Sequence, residues 1–387
     1  MHVDRVGARV ARASRREAGH RVDASRGGVV RRTLCTAVGV LAASLVLAAC
    51  GADQPASVTK TVPPDVSVSK DAPPDPAPVP IVWPLTGVPT DEVAQRPALA
   101  IKIENSPQAR PQTGLEYADM VWEEVVEGGI TRYVAVFHSQ IPDAVMPVRS
   151  ARPMDPAIVA PLGGILAYSG AQQQYIAAIN ASGVQSIIMD AGNAGFRRER
   201  TRRAPHNVVG SPQTFLDQAR DDRAVPPPAQ FPFAPEVGQG TAASTGTPAT
   251  RLDVRMSGQQ RTVWDWDAAS GTFLRSDGAT PSVSTTGARH AARNVVLLSV
   301  QMVNTDARDP AGNPVPETQL VGTGTGVVAG GGKSVEVSWS KASTAEPLVL
   351  SGADGAQVVL DPGATWVELV PTNASGAGTS PDAAGGH

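Results

Sequence analysis

Apolar and polar positions fall into two patterned regions, separated by stretches with no period. In A-L-A-I-K-I-E, residues 98–104, five of the seven positions are apolar, which predicts a strand buried on both faces. Residues 121–126 and 130–138 predict two more strands, with Glu127, Gly128 and Gly129 between them. Paired glycines accept positive φ, so these three predict a hairpin turn. Alternation places Ile130, Arg132, Val134 and Val136 on one face of the second strand, and Thr131, Tyr133, Ala135 and Phe137 on the other. On the first strand Glu123 and Val125 share a side, opposite Glu124 and Val126. The stretch 119–152 sets more acids and bases beside apolar residues than any other part of the chain.

Residues 164–170 predict a buried strand, 171–181 a helix with Tyr175, Ile176 and Ile179 at helical spacing, and 184–190 a further strand. Strand, helix and strand in this order make a βαβ unit and imply a parallel pair. Ser211 as N-cap and Pro212 in the first position predict a helix carrying Phe215, Leu216 and Ala219. From residue 251 the pattern is that of short strands: 251–256, 261–267, 272–275, 294–303, 324–329, 335–341, 348–350, 357–360 and 366–370. Turn signals at 330–332, 354–355 and 361–363 separate several of them, and this spacing predicts a sandwich or small barrel-like sheet. The fold class is α+β: a mixed α/β domain at 81–224 and a smaller, mostly-β domain at 251–371. Three stretches lack any period. Residues 50–80 read as a Pro-rich tether, 225–250 as a linker, and 372–387 as a disordered tail of Gly, Ala, Ser and Thr.

Composition adds compartment and partners. Apolar residues make up 41% of the 387, which suffices for folded cores, while 38 Gly and 34 Pro fit long connections. Residues 1–49 hold nine of the 33 basic residues and three of the 36 acidic ones, so the remainder has a net charge near −9. Such a balance disfavours nucleic acid as partner. Arg31 and Arg32 precede a run of apolar and small residues at 33–47 that ends in L-A-A-C at 47–50. This is the layout of a secretory signal peptide. The run is shorter than the ~20 residues that span a bilayer. The L-A-A-C ending resembles the bacterial lipobox, which implies cleavage before Cys50 and diacylglycerol on it. Residues 1–28 fit a signal peptide poorly. They read as an upstream extension of a start near Val29 or Val30, or else as part of a long, twin-arginine-like leader. Cys35 lies in the discarded segment, so the expected mature chain has neither a free thiol nor a disulfide, and no Cys metal site.

Several phrases resemble one family. They are Asn105 with A-R-P-Q at 109–112 and G-L at 114–115, V-E-G-G-I-T-R at 126–132, P-V-R-S-A-R at 147–152 and A-P-H-N at 204–207. In the second half they are G-x-G at 322–324, V-x-W-x-K at 337–341 and P-G-x-x-W at 362–366. Together they resemble the DUF3048 family, also called YerB-like lipoproteins, over about 82–221 and 250–371. The resemblance implies a two-domain protein tethered to the membrane and facing the extracytoplasmic side. It implies no reaction.

The residues themselves suggest recognition. Arg149 and Arg152 sit in a loop behind the hairpin, and Arg203, His206 and Asn207 in a second, basic loop. A guanidinium fork matches phosphate or carboxylate. With Asn105, Arg110, Glu123, Glu127, Thr131 and Arg132, these residues form the candidate ligand-binding set. The competing reading has the arginines pair with Glu123, Glu124 and Glu127 and simply knit the loops. No G-x-S-x-G, H-E-x-x-H, S-x-x-K set or P-loop is present, and no catalytic residue, cofactor or metal is assigned. The expected function is a non-enzymatic binding or scaffold lipoprotein of the cell envelope. Its expected partner is an anionic wall component, such as a teichoic-acid-like polymer, a lipid-linked phosphate or a peptide-stem carboxylate, or else an envelope protein. The alternative is a hydrolase or transferase on a wall polymer, using Glu127, Arg132 and His206.

Overall fold

The computed structural model describes residues 80–373 and the strand Gly378–Asp382. The expected signal segment, Cys50 and nearly all of the tether lie outside the described residues. The largest element is a 12-stranded mixed sheet. Its first half is built from β1 (Leu99–Glu104), β2 (Met120–Val125), β3 (Thr131–Phe137), β4 (Ile165–Tyr168) and β5 (Gln185–Ile188). All six residues of β1, all six of β2 and all seven of β3 are buried. Continuous apolar runs of this kind belong to strands covered on both faces. β2 and β3 form the expected antiparallel hairpin, closing Val125 against Thr131. Gly128 and Gly129 hold φ of 69° and 75° in its turn. β4, the helix Gln173–Ala181 and β5 form the expected βαβ unit with a parallel pair. The helix Pro212–Leu216 starts where expected, but Ser211 makes no side-chain cap to it.

The second half supplies β6 (Arg251–Arg255), β7 (Arg261–Asp267), β8 (Thr272–Asp277), β9 (Asn294–Arg308), β10 (Gly322–Gly330), β11 (Lys333–Lys341), β12 (Val349–Ser351) and β13 (Thr365–Pro371). Residues 357–360, expected as a strand, make only isolated bridges. These strands do not close on themselves as the expected sandwich. β6, β7 and β8 belong to a six-stranded sheet, whereas the large sheet runs β12-β11-β10-β9-β13-β2-β3-β1-β4-β5. β13 lies parallel to β2, pairing Trp366 with Val121 and Glu368 with Glu123. The reason is the edge: β2 would otherwise present a row of unpaired amides, and β13 fills them. β1, β2, β4, β5, β9 and β13 therefore run in one direction, and their carboxyl ends share one edge of the sheet.

One face of the large sheet packs Leu99, Ile101, Tyr133 and Val121 against Leu252, Val254, Trp264 and Phe273 of the smaller sheet. The other packs Ala100, Trp122 and Val134 with Ile158, Val159 and Ile179. Residues 225–250, expected as a free linker, are strapped down. Phe231, Ala242 and Ala249 are buried, and Thr247–Pro248 pairs with β11. Scattered apolar anchors suffice for this without any period. Gly378–Asp382, expected as disordered tail, pairs antiparallel with β6 and takes its open edge.

Gly114 turns the chain toward β2 with φ 80°, and an added Cβ there would lie 2.3 Å from the Ala144 carbonyl oxygen. Gly114→Ala is expected to cost about 2 kcal/mol or more, from left-handed strain plus overlap with rigid backbone. A lower urea midpoint with an unchanged m-value checks this.

Candidate functional site

The charged residues gather where the strands end. Alternation along β1 puts Lys102 and Glu104 on the Trp122 face, and Glu104 pairs directly across from Arg132. The loop at 147–152 fits against the end of β1. Val148 bridges Ile103, Arg149 N–H donates to the Lys102 carbonyl, and Glu104 N–H donates to the Pro147 carbonyl. Ligands of open α/β sheets bind outside such carboxyl ends.

Glu104 is the hub. Its Oε1 lies 2.8 Å from His206 Nδ1 and accepts from the Ser106 hydroxyl, and its Oε2 lies 3.4 Å from Arg149 Nε. Glu104 is buried, while Arg149 and His206 are 23% and 22% exposed, so both present an open side to solvent. Beside them Gln108, Arg110, Pro111, Arg202, Arg203, Ala204, Pro205 and His206 line a cleft of about 750 Å³. Arg202 closes one wall by donating to the carbonyls of Ala109 and Pro111. Neither Arg202 nor Arg203 forms an ion pair among the described residues, and both line the cleft. Arg110 is held from below by Asn105 and by Gln260 and Asp277 of the second half.

Behind this cleft the hairpin turn carries a second cluster. Glu127 accepts from Arg152 Nη2 at 2.7 Å, forms an ion pair with Arg152 Nε at 2.5 Å, and lies 3.8 Å from Arg132. Burial, and then the Arg152 guanidinium, push Arg132 down to about 9. Of the three acids open to the arginines, Arg132 thus approaches the turn residue Glu127.

The expected set separates into three groups. Arg110, Arg203 and His206 line one cleft, with Arg149 beside His206 on their shared Glu104 and Asn105 beneath. Glu127 holds Arg152 and lies near Arg132 next to it, which is the knitting role. Glu123 and Thr131 lie on the opposite sheet face, fully buried, so they do not reach the cleft. There Glu123 accepts from Thr131, Asn105 and Arg275. Arg275, also fully buried, reaches Asp277 and stands 5.4 Å over the rings of both Tyr133 and Trp366. Burial opposes its charge, but Asp277 and Glu123 outweigh that and raise it. Asn207 is turned inward: it donates to the carbonyls of Glu199 and Arg202 and shapes the loop. Glu104 and Arg202 were not foreseen. Alternation along 98–104 carried the signal for Glu104, since it shares a face with Lys102. No cluster of three His, Cys, Asp or Glu suited to a metal is found among the described residues.

Comparison with known proteins agrees with the resemblance. Residues 85–225 match the profile of the DUF3048 N-terminal domain, a protein of unknown function, and 252–367 match that of its C-terminal domain. The YerB protein of Bacillus subtilis strain 168, whose name makes it a candidate lipoprotein, is 28% identical over 315 residues. That alignment covers 78% of this chain and 89% of YerB. The crystal structure of Bacillus subtilis YerB superposes with a TM-score of 0.65 at 25% identity, over 78% of this chain and 99% of that one. With both halves matched in order and the fold shared, the chain belongs to the DUF3048 family.

Proposed function

We propose that this protein is an envelope lipoprotein, anchored through a lipid on Cys50 and facing the extracytoplasmic side, that binds an anionic wall component in its basic cleft. The L-A-A-C motif and the name of the Bacillus relative support the anchor. The single observation that carries the binding reading is the convergence of Arg110, Arg202, Arg203 and His206 on one cleft, with Arg149 joined to His206 through Glu104 and neither Arg202 nor Arg203 in an ion pair among the described residues. In a chain with a net charge near −9 outside residues 1–49, such a patch selects by local field, because the bulk repels the same ligand. A charge-assisted contact contributes about 1.5–3 kcal/mol, or roughly tenfold or more in affinity per arginine. Arg149→Ala combined with Arg203→Ala is expected to weaken co-sedimentation with purified wall polymer by about a hundredfold, with the far-UV spectrum unchanged. Equal sedimentation of the two proteins would refute the reading. Raising salt should reproduce the loss in the wild type.

One observation favours a second reading, a hydrolase or transferase on the same polymer. The Glu104 carboxylate grips His206 Nδ1, the arrangement that orients an imidazole base. Release of polymer fragments by the wild type and not by His206→Gln would select it.

A further inference from the structure

Outside the cleft, Lys102, Glu124 and Asp155 form a triad with no solvent exposure at any of the three side chains. Lys102 Nζ contacts Glu124 Oε1 and stands 2.6 Å from Asp155 Oδ1. Met120, Trp122, Val134 and Val136 make their sheet face apolar on one side, Arg132 pairs across from Glu124 on the other, and Ile158 and Val159 follow Asp155 on its short helix. Two carboxylates and one ammonium in such a site cost several kcal/mol per ion in lost hydration. Neutral forms avoid that cost. Burial, and then the neighbouring Asp155, push Glu124 up to about 8, which suits it to hand a proton on near neutral pH. Asp155 Oδ2 accepts the Arg152 N–H at 2.7 Å, which polarises the Asp155 carboxyl. Glu124 Oε2 is buried without a partner and is free to carry a proton.

An amine, a polarised carboxyl and a proton carrier, all held away from water, are the components of an amide condensation. We propose that Lys102 and Asp155 join in an intramolecular isopeptide bond, with Glu124 as the proton-transfer group. Lys102 passes one proton to the Asp155 carboxylate it contacts, and the resulting amine Nζ adds to Cγ. Glu124 gives its proton to the departing oxygen, which leaves as water, and takes the second proton from Nζ, so that the amide forms and Glu124 is restored. One N–C bond forms, one C–O bond breaks, and no oxidant or reductant is needed. In water, ionisation of both groups opposes this reaction. Here burial raises the cost of keeping the charged pair, and fixed contact supplies the effective concentration. The bond would tie β1 to the segment 149–155, which sets Arg149 against Glu104 and Arg152 against Glu127. It would brace a protein whose described residues include no cysteine.

The test is mass spectrometry of a tryptic digest of the purified, denatured full chain. The expected result is that trypsin spares Lys102 and releases a branched peptide joining it to the Asp155 segment. That peptide is lighter by one water than the sum of its parts. Glu124→Gln, checked for folding by circular dichroism, should yield the two segments unlinked, with cleavage after Lys102. Unlinked linear peptides from the wild type would overturn the bond, whatever the variant does. A fully linked Glu124→Gln protein would overturn the role of Glu124.

Discussion

Arg275→Met is expected to lose about 3–5 kcal/mol of stability, the cost of breaking a buried ion pair from one side. Arg275 donates to Glu123 at 2.8 Å, Asp277 at 2.9 Å and Thr262 at 3.1 Å, with no exposed side-chain surface. Methionine fills much of the volume but leaves Glu123 buried with neutral donors alone. Burial and Glu123 already push the adjacent Glu368 upward, so there is no spare positive field nearby to absorb the loss. Arg275→Lys should fail almost as badly, because one ammonium cannot reproduce a fork that spans two acids. Arg251→Met supplies the contrast. Its 2.6 Å pair with Asp265 is 40% and 47% exposed, and such pairs contribute under about 1 kcal/mol. Urea denaturation of the three variants gives the comparison, and equal midpoints for Arg275→Met and Arg251→Met would contradict it.

Glu127→Gln should move stability and binding in opposite directions. The substitution keeps the turn but removes the one carboxylate that Arg152 grips through two nitrogens and Arg132 approaches at 3.8 Å. Its amide N–H₂ then meets guanidinium donors. The expected loss is about 2–4 kcal/mol, below that for Arg275→Met because the Arg152 side chain is 12% exposed and can relax toward water. The same change adds one positive charge beside Arg149, so affinity for an anionic polymer should rise. A variant that is both less stable and a tighter binder separates the bracing role of Glu127 from the gripping role of the cleft.

Much of this architecture can be read directly from residue pattern. The hairpin, its turn and its two faces follow from alternation at 121–138, because a period of two admits one assignment once one residue is known to be buried. The βαβ unit follows from the change of period between 164 and 190. Other features depend on distant pairing that no local pattern encodes. β13 reads like any short apolar strand, and its choice of β2 as parallel partner is decided by which edges remain open after the first half folds. Residues 225–250 show no period, yet Phe231 and Ala249 pin them down. The charged site was half legible for a similar reason. The sequence supplies acids and bases in excess around the hairpin, and alternation sorts them by face. It does not say that Glu104, inside an apolar strand, will hold Arg149 and His206 together, or that Glu123 will turn away toward Arg275.

The central claim is that the basic cleft is where the envelope partner binds. A photo-reactive amino acid placed at position 108 in the intact cell tests it most directly, against the same probe at position 269. Both positions are exposed, and Gln108 lines the cleft without being one of its arginines. Position 269 follows the far end of β7, which starts beside Gln260, a partner of Arg110. It therefore lies roughly 20 Å from the cleft along a strand rising ~3.3 Å per residue. The expected result is capture of an anion-bearing envelope component from position 108 alone, weakened roughly tenfold by Arg203→Ala. Capture from both positions alike, or from 269 only, would contradict the account.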